Sequence, residues 1–147
     1  MDFFLMAVVT GILATAVMTF FLWIVNKTGL ANADMVRALG SGITRSYDKA
    51  MAPGMILHFV AGIIFAMIYI VILNLIHLTS TFYIILTGGI IGFWHGFAFS
   101  FVMVILAEHH PVERFKDASF QVAIVHFAAH IIYGLTAGII LALSGHF

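Results

Sequence analysis

The sequence predicts an all-α fold, a four-transmembrane-helix bundle with a short interfacial helix between spans one and two, and three observations carry that expectation. Hydrophobic residues make up 63% of the 147-residue chain and charged residues 8%, and the mean hydropathy of +1.16 is far above that of soluble domains, which are roughly half apolar. Four segments each supply the ~20 apolar residues that a helix needs to cross a hydrocarbon core. All six Lys and Arg residues fall in the first and third connections between these segments, which an even-numbered bundle places on one side.

The first span covers about 3–26. Asp2 precedes it where a cleavable signal would carry bases, so a retained helix is expected. Asn26 to Ala52 is the one long polar stretch, within which Asn32 is expected to cap a short interfacial helix from Ala33 to Leu39. The second span, about 53–77, opens on Pro53, which suits a first helical turn. Only Leu78-Thr79-Ser80 separates it from the third span, about 81–107, so spans two and three are expected to form a tight antiparallel pair. Pro111 stops the third span, and Asp117 or Ser119 is expected to cap the fourth, about 118–144. The whole chain, 1–147, reads as one integral membrane domain.

By the positive-inside rule, the loops bearing Lys27, Arg37, Arg45, Lys49, Arg114 and Lys116 are cytoplasmic and both termini lie outside. Net charge is zero and Cys is absent, which removes any basic footprint for nucleic acid, any disulfide and any thiolate ligand. The lipid bilayer is the expected partner, together with further copies of the chain or other membrane subunits. Trp23 and Tyr83 suit interface anchors.

Small residues recur every fourth position: Ala7, Gly11, Thr15 and Thr19 in the first span, and Gly88, Gly92, Gly96 and Ser100 in the third. Such stripes let helix backbones approach closely. The second and fourth spans share His-x3-Gly-x3-small, as His58, Gly62, Ala66 and as His130, Gly134, Gly138. This pattern suggests two related helical hairpins, one of the repeat arrangements found in transporters.

Residues four apart share a helix face, so His126 and His130, with Gly134 beyond them, should point into protein rather than lipid. At about 1.5 Å per residue, His58 lies roughly 8 Å and His126 roughly 12 Å from the Lys/Arg-bearing end, and His95 and His130 about 18–20 Å. Imidazole is the commonest nitrogen ligand of Zn, Cu and Fe. His58, His95, His126 and His130 are therefore candidate metal ligands, with Glu108, His109 and His110 as an entry or second site and Tyr69 and Tyr133 as groups that could orient a ligand. Each histidine could equally be a strut that hydrogen-bonds across helices. His77 and His146 read as solvated interface residues. Met6, Met18, Met51, Met55, Met67 and Met103 could offer thioethers to soft copper but, lacking a paired motif, are assigned to core packing.

The runs Gly11-Ile-Leu-Ala-Thr15-Ala-Val-Met18-Thr19, Gly29-Leu30, Asp34 to Gly40, His58-x3-Gly62-x3-Ala66-x2-Tyr69, His95-Gly96, His110-Pro111 and His130-x2-Tyr133-Gly134 resemble a group of small four-span bacterial and archaeal membrane proteins with no assigned activity. The resemblance covers nearly the whole chain. It implies a four-span fold in a prokaryotic cytoplasmic membrane and places His58, His95, His110 and His130 at the family's histidine positions; Glu108, His109 and His126 are additions. The leading expectation is intramembrane binding of a transition metal ion, for transport or metal-dependent chemistry. The alternatives are haem ligation by His95 and His130 for electron transfer, metal-free passage of protons or substrate, and an accessory packing subunit. No nucleophile–base pair or phosphate-binding loop points to an enzyme.

Overall fold

A computed structural model describes residues 2–116 and 119–145. The helices are α1 (Phe3–Thr28), α2 (Met35–Thr44), α3 (Met51–Ile76), α4 (Thr81–Glu108) and α5 (Phe120–Leu143), with one 3-10 turn at Glu113–Phe115 and, among the described residues, no strand. Four of them, α1, α3, α4 and α5, have the length and composition to span a membrane. Outward-facing side chains such as Phe20, Trp23, Ile64, Trp94, Phe101 and Ile105 are exposed, as expected of an integral membrane protein whose apolar surface meets acyl chains instead of water.

The bundle is assembled through its glycines. A Cβ built on Gly11 would stand 2.5 Å from Ile63 Cα and 2.9 Å from the Gly62 carbonyl oxygen, so α1 and α3 meet backbone to backbone. On Gly88 it would stand 2.6 Å from the Gly134 carbonyl oxygen and 3.0 Å from Gly138 Cα, and on Gly92 2.7 Å from the His130 carbonyl oxygen, so α4 and α5 do the same. α5 also packs along α1, giving the lateral order α4, α5, α1, α3.

Spans two and three are not the tight pair their short connection suggests: the backbones of α3 and α4 stand apart and meet mainly through large side chains. The glycine stripe of α4 faces α5, which holds α4 away from α3 along most of its length. The turn Leu78–Ser80 ties only their ends, where His77, capping α3, takes a left-handed φ of 55°.

Asp34, rather than Asn32, caps α2, its carboxylate accepting from the Arg37 N–H at 3.3 Å. Asn32 instead donates to the Arg114 carbonyl at 3.0 Å, tying the first polar connection to the third. Tyr47 donates to Asp34 at 3.1 Å and lies under the guanidinium groups of Arg37 and Arg114. Burial opposes the Arg37 charge, and its hydrogen bond to Asp34 and the charges of Tyr47 and Asp34 more than offset this, leaving its pKa above the ordinary value. Ser119 caps α5 by accepting from Val122 N–H at 3.4 Å; Asp117 and His146 lie outside the described residues.

Candidate functional site: a histidine chamber between α3 and α4

The gap between α3 and α4 opens into a chamber of about 160 Å³ whose wall includes Thr15, His58, His95, His130 and Tyr133. Three helices contribute the imidazoles, α3, α4 and α5. Phe65 and Phe99 stand in the gap with ring centroids 5.2 Å apart, edge to face, and Phe65 also stacks on His95 at 4.0 Å. His95 and His130, expected at one depth, meet with centroids 4.6 Å apart.

A second cavity of about 310 Å³ lies toward the Lys/Arg-bearing end, under α2, and is lined by Asn32, Asp34, His109, His110 and His126 among others. Met35, Leu39, Met103 and Leu106 line both spaces, so these four side chains are the partition between vestibule and chamber. Glu108 is exposed and lines neither. His58 lines the chamber with His95 and His130, and His126 lines the vestibule. Helix α3 begins at Met51 and α5 at Phe120, each two residues from the expected start and in directions that sink His58 and raise His126.

Hydrogen bonding fixes two of the rings. His130 Nδ1 lies 2.7 Å from the His126 carbonyl oxygen and His126 Nδ1 2.7 Å from the Val122 carbonyl oxygen. A carbonyl only accepts, so each Nδ1 carries the proton and donates, and each neutral ring keeps its lone pair on Nε2. His126 Nε2 is buried with no partner, as are His58 Nε2 and the Thr15 hydroxyl. Buried polar atoms left unmatched are costly, and His58 and Thr15 line the chamber.

Of the two tyrosines, Tyr69 places its hydroxyl 3.5 Å from His95 Nδ1, at the edge of hydrogen-bonding range. Tyr133 donates to the Gly62 carbonyl at 2.6 Å and so acts as an interhelical strut between α5 and α3. His110 plays a different part. Its Nδ1 accepts from Val112 N–H at 3.1 Å, leaving Nε2–H to donate to the Ala38 carbonyl at 3.0 Å. It clamps the connection after α4 onto α2, which roofs the vestibule.

Among the described residues, no three His, Asp or Glu side chains are grouped as a metal-holding set. His95 and His130 meet edge to face with centroids 4.6 Å apart, an arrangement that leaves no porphyrin plane between the two rings. Sequence reading also misses that Met18, Met35 and Met103 all line this chamber. Their positions, 18, 35 and 103, lie on three helices and share no local spacing. In comparisons with known proteins, no family model, no curated protein and no solved structure matches this chain significantly.

Proposed function

We propose that this integral membrane protein binds a metal ion in the chamber between α3 and α4, using the adjacent pair His95 and His130 with His58 on the same wall, and exchanges it with the Lys/Arg-bearing side through the vestibule at His126, His109 and His110. The observation that carries this reading is the state of the rings. A metal-ligating histidine ordinarily donates its second ring N–H to a carbonyl or carboxylate, which orients it and leaves the other nitrogen free; His130 and His126 are held in this way. Ordinary packing histidines would spend Nε2 on a protein partner. Here the His58 and His126 Nε2 atoms are buried with no hydrogen-bond partner in the protein.

The adjoining cavities support passage rather than permanent storage. Met35, Leu39, Met103 and Leu106, all flexible side chains, line both the chamber and the vestibule, so the route we propose for the ion runs past them. The test is metal analysis together with an absorption spectrum on one sample of detergent-purified protein expressed under metal-replete conditions. Bound metal that is lost in His95→Ala and His130→Ala but kept in His77→Ala is the expected result. A metal-free parent protein overturns the proposal, and a Soret band would replace it with haem binding.

A further inference from the structure

Three thioethers share the chamber with the three imidazoles: Met18 from α1, Met35 from α2 and Met103 from α4. Met18, Met35 and Met103 also pack with the main apolar cluster of the bundle, while Met6 and Met67 lie outside the chamber in a second cluster with Leu73, Ile84 and Leu141. Thioether sulfur is a soft donor that discriminates by softness instead of charge, and combined with imidazole it selects Cu(I) over Zn(II), Mn(II) or Mg(II).

We propose that the ion taken by the chamber is a soft monovalent metal, of the Cu(I) and Ag(I) class, held by some or all of His58, His95 and His130 together with the sulfurs of Met18, Met35 and Met103. This inference rests on the metal-binding reading above and names its substrate class. Charge points the same way. No Asp or Glu lines the chamber, so every donor available is neutral and the charge of a bound ion stays uncompensated. The Born cost of placing a charge in a low-dielectric interior grows with its square, about fourfold higher for a divalent ion than for a monovalent one of equal size. Cu(I) and Ag(I) accept few ligands, neutral ones included.

Sulfur placement also supplies a route. Met35 and Met103 belong to the partition as well as to the chamber, so the ion can be passed from the vestibule to thioethers and then to imidazoles without being stripped bare.

The full chain in detergent micelles, reduced and under nitrogen, is titrated with Cu(I) against a chromophoric Cu(I) chelator, with Ag(I) as a redox-inert probe and with Zn(II) in parallel. Expected is saturable Cu(I) and Ag(I) binding tighter than Zn(II), weakened about tenfold or more when Met18, Met35 and Met103 are all changed to Leu. Should that triple variant misfold, methyl-¹³C methionine spectra of the parent protein decide. Ag(I) should shift the Met18, Met35 and Met103 signals and leave Met6 and Met67 in place. Zn(II) binding as tight as Cu(I), or Ag(I) binding that leaves those three methyls unmoved, overturns the soft-metal inference while the metal-binding reading stands. Absence of binding by all three ions overturns both.

Discussion

Replacing Gly88 by Ala tests whether backbone contact between α4 and α5 holds the bundle. The added methyl would stand 2.6 Å from the Gly134 carbonyl oxygen, about 0.8 Å short of the 3.4 Å at which ordinary contact begins, and 3.0 Å from Gly138 Cα. Both obstacles are backbone, so no side chain can swing away and the helices must separate at their crossing. A gap of 0.5–1 Å forfeits about a quarter to a half of each dispersion contact across it, and overpacking of a dense interface costs about 1–3 kcal/mol. Ala is the better helix former by about 1 kcal/mol, so the net loss expected is about 0–2 kcal/mol. Gly42→Ala is the control: it lies in α2 with nothing within 4 Å of the added methyl, so the propensity term acts alone and stability should rise by about 0.5–1 kcal/mol. Reversible unfolding in mixed micelles of dodecylmaltoside and SDS, followed by far-UV circular dichroism, measures both. A Gly88→Ala protein stabilised as much as the Gly42→Ala control would refute the packing argument.

Tyr133→Phe removes the 2.6 Å bond to the Gly62 carbonyl while keeping the ring; interhelical hydrogen bonds in membranes carry about 0.6 kcal/mol on average and up to about 2, so a loss in that range is expected in the same unfolding assay. Gly96→Ala sets a methyl 2.8 Å from the Phe127 carbonyl oxygen and 2.9 Å from His130 Cβ, moving α4 away from the turn that carries His130, and should lower metal affinity by about tenfold, a drop of ~1.4 kcal/mol, with unchanged helix content; equilibrium dialysis reads this. The chain has no cysteine, so single substitutions report sidedness: a membrane-impermeant maleimide added to whole cells should label Ser80→Cys and spare Lys49→Cys, and the opposite pattern would reverse the orientation set by the basic loops.

The parts of the fold legible in the sequence are those governed by short-range rules. The four spans emerge within about two residues of the observed ends, because apolar length alone defines a membrane helix. The stripes at Gly11 and Gly88 correctly mark close packing, because an interval of four places residues on one face. What escapes are relations between helices. A three-residue connection suggests that spans two and three pack together, yet loop length limits only the distance between helix ends; glycine complementarity decides that α4 lies on α5. Asn32 and Asp34 are both competent caps, and only the Arg37 and Tyr47 partners of Asp34 tell which one is used. His95 and His130 are legible as neighbours at one depth, but Met18 and Met103 read as packing and Met35 carries no signal of its own, since residues on separate elements converge through tertiary geometry that no local period encodes.

That geometry follows from an incomplete symmetry. Gly11 meets Gly62 across α1 and α3 as Gly88 meets Gly134 across α4 and α5, and Gly62 and Gly134 each follow a histidine by four residues, His58 and His130. The two hairpins thus repeat one contact. Joining two such hairpins side by side offers two seams, α1 with α5 and α3 with α4. The first is closed: α1 packs along α5, where Ala14, Ala129 and Ala137 are all fully buried in one apolar cluster. In the second seam the corresponding faces carry Phe65, His95 and Phe99, whose rings contact one another, Phe65 stacked on His95 and Phe99 edge to face with both, and prop the helices apart. A bundle of four helices encloses little space when all its seams close. Here small residues close one seam and large planar ones hold the other open, and the histidine of each repeat, His58 and His130, is left facing the resulting chamber. Filling the open seam with small residues would therefore remove the site without unmaking either hairpin.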